Sequence, residues 1–195
     1  MKLMVDFFSG LGGASEAFIH DLGWQVLRYD NNRLLRDVPL TLMADLLHDE
    51  IRIRHQIDVF WASPECREFS MAYHAPSPTA KRNGIPFTPC MKQVKKCIQF
   101  IEENNPTYWV IENVKGAVPY FKELLGEPRQ IIGPVYLWGN FPLIHIPKGF
   151  KHVKDDSRWS SDPLRYNARS KIPIEISRGL LTAIEGQKTL FIPWD

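Results

Sequence analysis

The sequence predicts an α/β fold built on a doubly wound, mostly parallel sheet with helices on both faces. Three observations carry this expectation. Short apolar runs alternate with amphipathic stretches, the first run ends in a glycine-rich turn, and acidic residues recur where apolar runs stop. The 195 residues, 44% apolar and 24% charged, suffice for a core without disulfide or metal support.

The elements follow in order. Leu3–Phe8 reads as a strand, Gly10–Gly13 as a turn, and Ala14–Leu22 as a helix with Ala17, Phe18 and Leu22 on one side. Gln25–Tyr29 is a second strand, with a helical stretch near Leu34, a short strand ending at Ala44 and a fourth strand at Asp58–Ala62. From Ser63 to Cys90 periodicity stops, which predicts a long loop without regular structure, a feature that tends to carry function. It resumes at Met91–Asn104, where Val94, Cys97, Ile98 and Ile101 share a helix face, and continues with the strand Tyr108–Ile111. A helix near Tyr120–Leu125, an apolar stretch at Val135–Trp138 and a last helix at Pro173–Ile184 complete the reading. The chain thus divides into a body at 1–144, a basic and aromatic insertion at 145–171, and a C-terminal helical segment at 172–195.

No apolar run approaches the ~20 residues of a membrane-spanning helix, and the N-terminus leads directly into a strand. A soluble, cytoplasmic protein is expected. The three cysteines, Cys66, Cys90 and Cys97, are odd in number and lack C-x-x-C spacing, which argues against a disulfide framework and against a metal site. The net charge of +2 conceals a division. Residues 71–97 hold Lys81, Arg82, Lys92, Lys95 and Lys96 with no acid, and residues 145–171 hold seven Lys/Arg against three Asp, whereas the rest of the chain is at −7. Two cationic stretches on an acidic body suit a polyanion, or are simply solvated faces.

Four constellations bear chemistry. Asp6–Gly13 closes the first strand with glycines that let the backbone turn tightly and approach a ligand, although a plain strand-to-helix turn has the same composition. As a dinucleotide fingerprint it is incomplete, with Ser15 at the third glycine position. Asp30 and Asp45 end the second and third strands, where carboxylates accept from ribose hydroxyls or an adenine amino group, or else cap a turn. Cys66 lies in Ser63–Ser70 just after the fourth strand, placed as a thiolate nucleophile unless it is a buried apolar residue, the class to which Cys97 belongs. Glu112 ends the strand Tyr108–Ile111 and would sit beside the Cys66 loop if the two strands are neighbours, able to hold or donate a proton.

Together these pieces resemble the cytosine-C5 DNA methyltransferase family. Asp6–Gly13 is similar to its D-x-F-x-G-x-G-G cofactor loop, Pro64–Ser70 to its P-P-C-x-x-F-S nucleophile loop, and Glu112-Asn113-Val114 to its E-N-V motif, in the family's order. Lys171-Ile172-Pro173 and the helix after it resemble the last motif, so the likeness covers 1–144 and roughly 168–184. The resemblance implies a class I S-adenosyl-L-methionine-dependent methyltransferase sheet. The cofactor would be held by Phe8, Ser9, Gly10, Leu11, Gly13, Asp30, Asp45, Leu46 and Pro64. It further implies that Cys66 attacks C6 of a cytosine flipped out of double-stranded DNA, that Glu112 engages N3 and the amino edge, and that Asn113 belongs to the catalytic set. The basic loop 71–97 would close over the base.

Three departures shape the expectation. Glu65 stands where the family has proline before the cysteine, and its carboxylate raises the thiol pKa unless it points away. The family's Q-x-R-x-R motif has no clean counterpart, leaving Arg129, Arg165 and Arg169 as candidates. Residues 145–171 replace a target-recognition domain of roughly a hundred residues, well below a typical independent domain. A short or relaxed target sequence follows, with Ser70, Lys81, Arg82, Lys151 and Arg158 added to the nucleic-acid contacts, or an accessory protein that supplies recognition. A monomeric DNA (cytosine-5-)-methyltransferase of a phage or prokaryote is the leading reading. An RNA cytosine-C5 methyltransferase and a catalytically weak nucleic-acid-binding regulator are the alternatives, with a nicotinamide oxidoreductase far behind.

Overall fold

The computed structural model describes residues 1–152 and 161–188. Seven strands form one sheet: β1 (Lys2–Phe7), β2 (Trp24–Asp30), β3 (Thr41–Met43), β4 (Val59–Ala62), β5 (Tyr108–Asn113), β6 (Gln130–Ile132) and β7 (Val135–Asn140). Their order is β3-β2-β1-β4-β5-β7-β6, with β7 antiparallel to both its neighbours and the first five strands parallel. The doubly wound α/β expectation holds.

Strands covered on both faces are apolar without alternation, and β1 and β4 read that way because helices cover both sides. On one face α1 (Glu16–Ile19) and α6 (Ile174–Lys188) lie over Met4, Val26, Trp61 and Val110. On the other, α3 (Lys92–Asn104) and α4 (Val118–Leu125) seal Val5, Phe7, Phe60 and Ile111, and Phe7 meets Phe60, Phe100 and Tyr29 at ring separations of 4.5–5.4 Å. Gly139 of β7 lets that strand pass the β5 backbone, since an ideal Cβ there would fall 2.0 Å from the Trp109 carbonyl oxygen.

The first helix is far shorter than the predicted Ala14–Leu22. Leu22 is 98% exposed, and the chain turns away where the Asp21 carboxylate accepts the Gly23 N–H. The backbone at the start of this helix is completed from α6, whose Ser177 hydroxyl donates to the Ala14 carbonyl and accepts the Ala17 N–H. Two helices arise where none was predicted: α2 (Pro76–Arg82) inside the expected loop 63–90, and α5 (Arg165–Ser170) inside the basic insertion. Proline at the first turn of α2 costs no hydrogen bond and presets φ, which explains a helix in a proline-rich stretch. Strand β6 was also unforeseen, being three residues long and joined to β7 across Gly133-Pro134, a turn signal between apolar residues. The last helix runs to Lys188 rather than Ile184, and its Glu185 is bonded by Lys2 Nζ and by Trp24 Nε1, tying the helix end to the start of β1. Among the described residues no helix is long and apolar enough to cross a membrane.

Candidate active site

The parallel register aligns Phe7 with Ala62 and Ala62 with Ile111, so the residues following β1, β4 and β5 emerge at one edge of the sheet. Strand order reverses between β1 and β4, and in open α/β sheets ligands bind outside such a switch point.

The Cys66 loop is fastened there by side chains from distant sequence. Asn113 is buried; its Nδ2 donates to the Pro64 carbonyl at 3.0 Å and its Oδ1 accepts the Val114 N–H at 2.9 Å. Gln93 of α3 accepts the Glu65 N–H at 2.7 Å, and the Glu68 carboxylate accepts the Cys90 N–H at 2.6 Å. Phe69 is buried against Phe121, and its carbonyl lies so close to Gly116 that an added Cβ would sit 1.9 Å away. Cys66 is half-buried within this turn, Cys90 is exposed, and Cys97 is in the core, where burial raises its thiol pKa. The Glu65 carboxylate accepts the Arg67 N–H at 3.0 Å, so it is spent on the loop backbone.

Glu112 stands beside this loop, as β4–β5 pairing requires. Burial pushes its pKa up to about 7, and a hydrogen bond from Ser63 pulls the other way. The Ser63 hydroxyl accepts the Trp61 indole N–H at 2.9 Å while serving Glu112, so the carboxyl group is held by a chain reaching back into β4.

The glycine loop is organised from beneath. Phe8, Gly10 and Gly12 take φ of 55°, 53° and 71°, which curls the chain after β1. Under the curl, Arg28 of β2, only 4% exposed, donates from Nη2 to the Gly12 carbonyl at 2.6 Å and from Nε to the Ser15 hydroxyl at 2.8 Å. The Ser15 hydroxyl in turn donates a hydrogen bond to Asp6 Oδ2 at 2.6 Å. Asp6 is buried and its pKa is pushed up to about 7 by desolvation, against the lowering effects of the Ser15 hydrogen bond and the Arg28 charge. The guanidinium fills the space that a side chain at position 12 would need.

Of the predicted cofactor contacts, Ser9 keeps a buried hydroxyl with no hydrogen-bond partner. Asp30 at the end of β2 accepts the Gly10 N–H through Oδ2 and the Asn32 N–H through Oδ1, both at 2.9 Å. Phe8 and Leu11 are partly buried, and Pro64 is buried, with its carbonyl bonded to Asn113. Gly13 is packed on Ile172, whose carbonyl oxygen would lie 2.2 Å from an added Cβ, so its small size serves the junction with the C-terminal segment. Asp45 caps a turn by accepting the Leu47 N–H, and Leu46, 2% exposed, is a core residue. Asn167 of α5 reaches over Gly10 and Asn32, and Lys171 pairs with Glu16 at 2.7 Å.

The predicted nucleic-acid contacts are scattered. Ser70 caps Ala72, Lys81 and Arg82 are exposed on α2, and the Arg82 guanidinium lies 3.8 Å over the Tyr73 ring. Arg129 is turned elsewhere: its Nε donates to the Phe141 carbonyl at 2.7 Å, just past Asn140, which pairs with Trp109 at the opposite end of β5 from Glu112. It braces the β6–β7 edge of the sheet, which corrects its candidacy as a base-holding arginine. Lys151 is exposed, Arg165 stacks on Tyr166 at 4.7 Å, Arg169 is half-buried, and Arg158 falls outside the described residues. Among the described residues no group of three His, Cys, Asp or Glu side chains is arranged to hold a metal.

Three supporting residues were given no role by the sequence: Ser15, Arg28 and Ser63. Arg28 carried a signal, being a cation inside the apolar stretch 26–29 of β2, in register with Asp6 of β1.

No protein-family model and no curated protein matches this sequence. Solved structures of similar chain trace include a protein described as a DNA modification methyltransferase encoded within a prophage (E. coli), at 16% identity and TM-score 0.46 over 72% of this chain and 47% of that one. The Entamoeba histolytica methyltransferase EhMeth follows at 14% identity and TM-score 0.41, over 75% of this chain and 56% of its own. A human methyltransferase 10 domain containing protein aligns at 12% identity and TM-score 0.40, over 71% of this chain and 70% of its own. This chain thus spans about half the length of the first two. At such identity the likeness is one of chain trace alone.

Proposed function

We propose that this chain is a cytosine-C5 methyltransferase acting on double-stranded DNA, with S-adenosyl-L-methionine as methyl donor and Cys66 as nucleophile. The observation that carries this reading is the joining of two sequence motifs across β4 and β5: Asn113 anchors the Pro64 carbonyl two residues before Cys66, and Glu112 stands beside Ser63 with a pKa near neutrality.

The residues present fit the cofactor. The loop after β1 leaves the Ser9 hydroxyl buried and without a partner, and the half-buried Asp30 carboxylate retains lone pairs for a ribose diol beyond its two backbone bonds. When bound, S-adenosylmethionine supplies an electrophilic methyl group. The protein's part is to make cytosine C5 nucleophilic. The Cys66 thiolate adds to C6 and forms the C–S bond, while Glu112 donates its proton to N3 and quenches the charge that addition would leave on the ring. Electron density then reaches C5, which is alkylated. Loss of the C5 proton to solvent water expels the thiolate from C6, and return of the N3 proton to the Glu112 carboxylate restores the neutral ring and the acid. A carboxyl group with a pKa near 7 is half protonated at neutral pH, whereas one at 4.5 would seldom be.

The test is transfer of labelled methyl groups to unmodified duplex DNA, with the modified positions sequenced. Label at cytosine C5 that falls to background in Cys66→Ala is the expected result. Label on RNA alone moves the substrate to RNA, and DNA binding without any label leaves a binding protein. The rate falls as pH rises through about 7, where Glu112 loses the proton it must donate. Glu112→Gln cannot titrate; it loses that alkaline limb and slows transfer about 10²- to 10⁴-fold.

A further inference from the structure

Helix α2 and Arg67 in the turn after Cys66 border an open surface cavity of about 480 Å³. Its polar lining is Arg67, His74, Thr79 and Asn83, and its apolar walls include Pro76 and Ile85. The Thr79 hydroxyl accepts from Arg82 Nη2 at 3.2 Å and keeps its proton and a lone pair, whereas Arg67 has only donors. Arg82 in turn lies 3.8 Å over the Tyr73 ring, which meets the His74 ring edge-on at 4.9 Å. Thr79 and His74 of the lining thus contact a cation and an aromatic ring outside it, and the lining contains no carboxylate.

We propose that this cavity receives the acceptor edge of a guanine next to the target cytosine, so that sequence is read on the nucleophile loop by Arg67. The proposal rests on the reading of the chain as a cytosine methyltransferase. Three features select a base over a phosphate. Arg67 adjoins Cys66 in sequence, so whatever its fork grips is held within a nucleotide or so of the reacting ring. Pro76 and Ile85 offer apolar surface to a flat ring, which a phosphate would not use. The Arg67 fork, which only donates, matches guanine, whose N7 and O6 both accept, better than adenine, whose N6 donates. Arg67 is exposed, and its backbone N–H is capped by Glu65, so its guanidinium is positioned from a fixed turn.

The test pairs two readouts on a duplex library randomised around cytosine. Methylation by the wild-type chain is expected to favour one flanking guanine, and Arg67→Ala to reduce that preference about tenfold, the scale of one bidentate base contact. Arg67→Lys keeps the charge and loses the fork, so it abolishes the preference if a base is read and retains most binding if a phosphate is held. Selection of bound duplexes by Cys66→Ala, with and without Arg67→Ala, gives the same comparison without turnover. Methylation whose flanking preference is unchanged in Arg67→Ala overturns the cavity and leaves the methyltransferase reading standing. Uniform loss across all contexts with a reduced salt dependence overturns the base in favour of a phosphate. Absence of methylation with an Arg67-dependent guanine preference in bound duplexes sinks the enzyme and keeps the cavity; absence of both sinks both.

Discussion

The two loops at the active edge are built in opposite ways. The glycine loop is shaped by its own residues, with three consecutive alternate positions at positive φ, and is propped by the buried Asp6–Ser15–Arg28 chain beneath it. The Cys66 loop has no residue at positive φ; beyond its own turn bonds it is tied down by Asn113, by Gln93 and by Phe121, on which its Phe69 is seated. The difference teaches how each can fail. The first depends on charge balance inside the core, the second on several separate tethers, each worth less.

The largest effect is therefore expected beneath the glycine loop. Arg28→Met removes the cation that Asp6 faces and leaves the Gly12 carbonyl and Ser15 without their donor, which costs about 3–5 kcal/mol in urea unfolding. The sign of its pH dependence follows from the raised Asp6 pKa. A carboxyl group that ionises near 3.8 when unfolded and about 7 when folded withdraws stability as pH rises across that window, after which the wild type levels off. Without Arg28 the folded pKa climbs further, so the variant goes on losing stability above pH 7 and the gap widens there. A gap independent of pH would show that Asp6 and Arg28 are not coupled.

An intermediate effect is expected at the Cys66 loop. Asn113→Ala leaves the buried Pro64 carbonyl without its donor, at about 1–3 kcal/mol, and loosens the nucleophile. Loss of methyl transfer should exceed the loss of stability, a comparison of rate with urea midpoint that separates positioning from simple destabilisation. The smallest effect is at position 65, where the family resemblance and the structure disagree. Installing the family's proline by Glu65→Pro removes the N–H that Gln93 accepts, so it destabilises by about 1 kcal/mol. A stabilised Glu65→Pro would mean that the Gln93 tether adds little.

The comparison also marks what could be read in advance. The motif residues Cys66, Glu112 and the glycine loop were legible because each follows an apolar run, and β1, β4 and β5 were legible because strands buried on both faces carry short unbroken apolar runs. Helix α2 was not, because a stretch rich in proline and small residues has little helical periodicity, and three residues of β6 were too few to show any. Asp45 and Leu46 show what a strand-end position leaves open: one caps a turn through Oδ1 and the other is packed in the core, roles that the sequence position alone does not tell apart from cofactor contact.

By itself the sequence determined the alternation of strands and helices, the apolar strands of the centre, and the chemical groups that end them. These are properties of short windows, in which side-chain periodicity and turn residues act over a few positions. Only the tertiary structure decided that Arg28 neutralises the space beneath Gly12, that Asn113 holds a carbonyl 49 residues away, and that Arg67 shares a cavity with α2. Parallel pairing sets those meetings, since each crossover returns the chain to the same edge and brings side chains together that no local pattern relates.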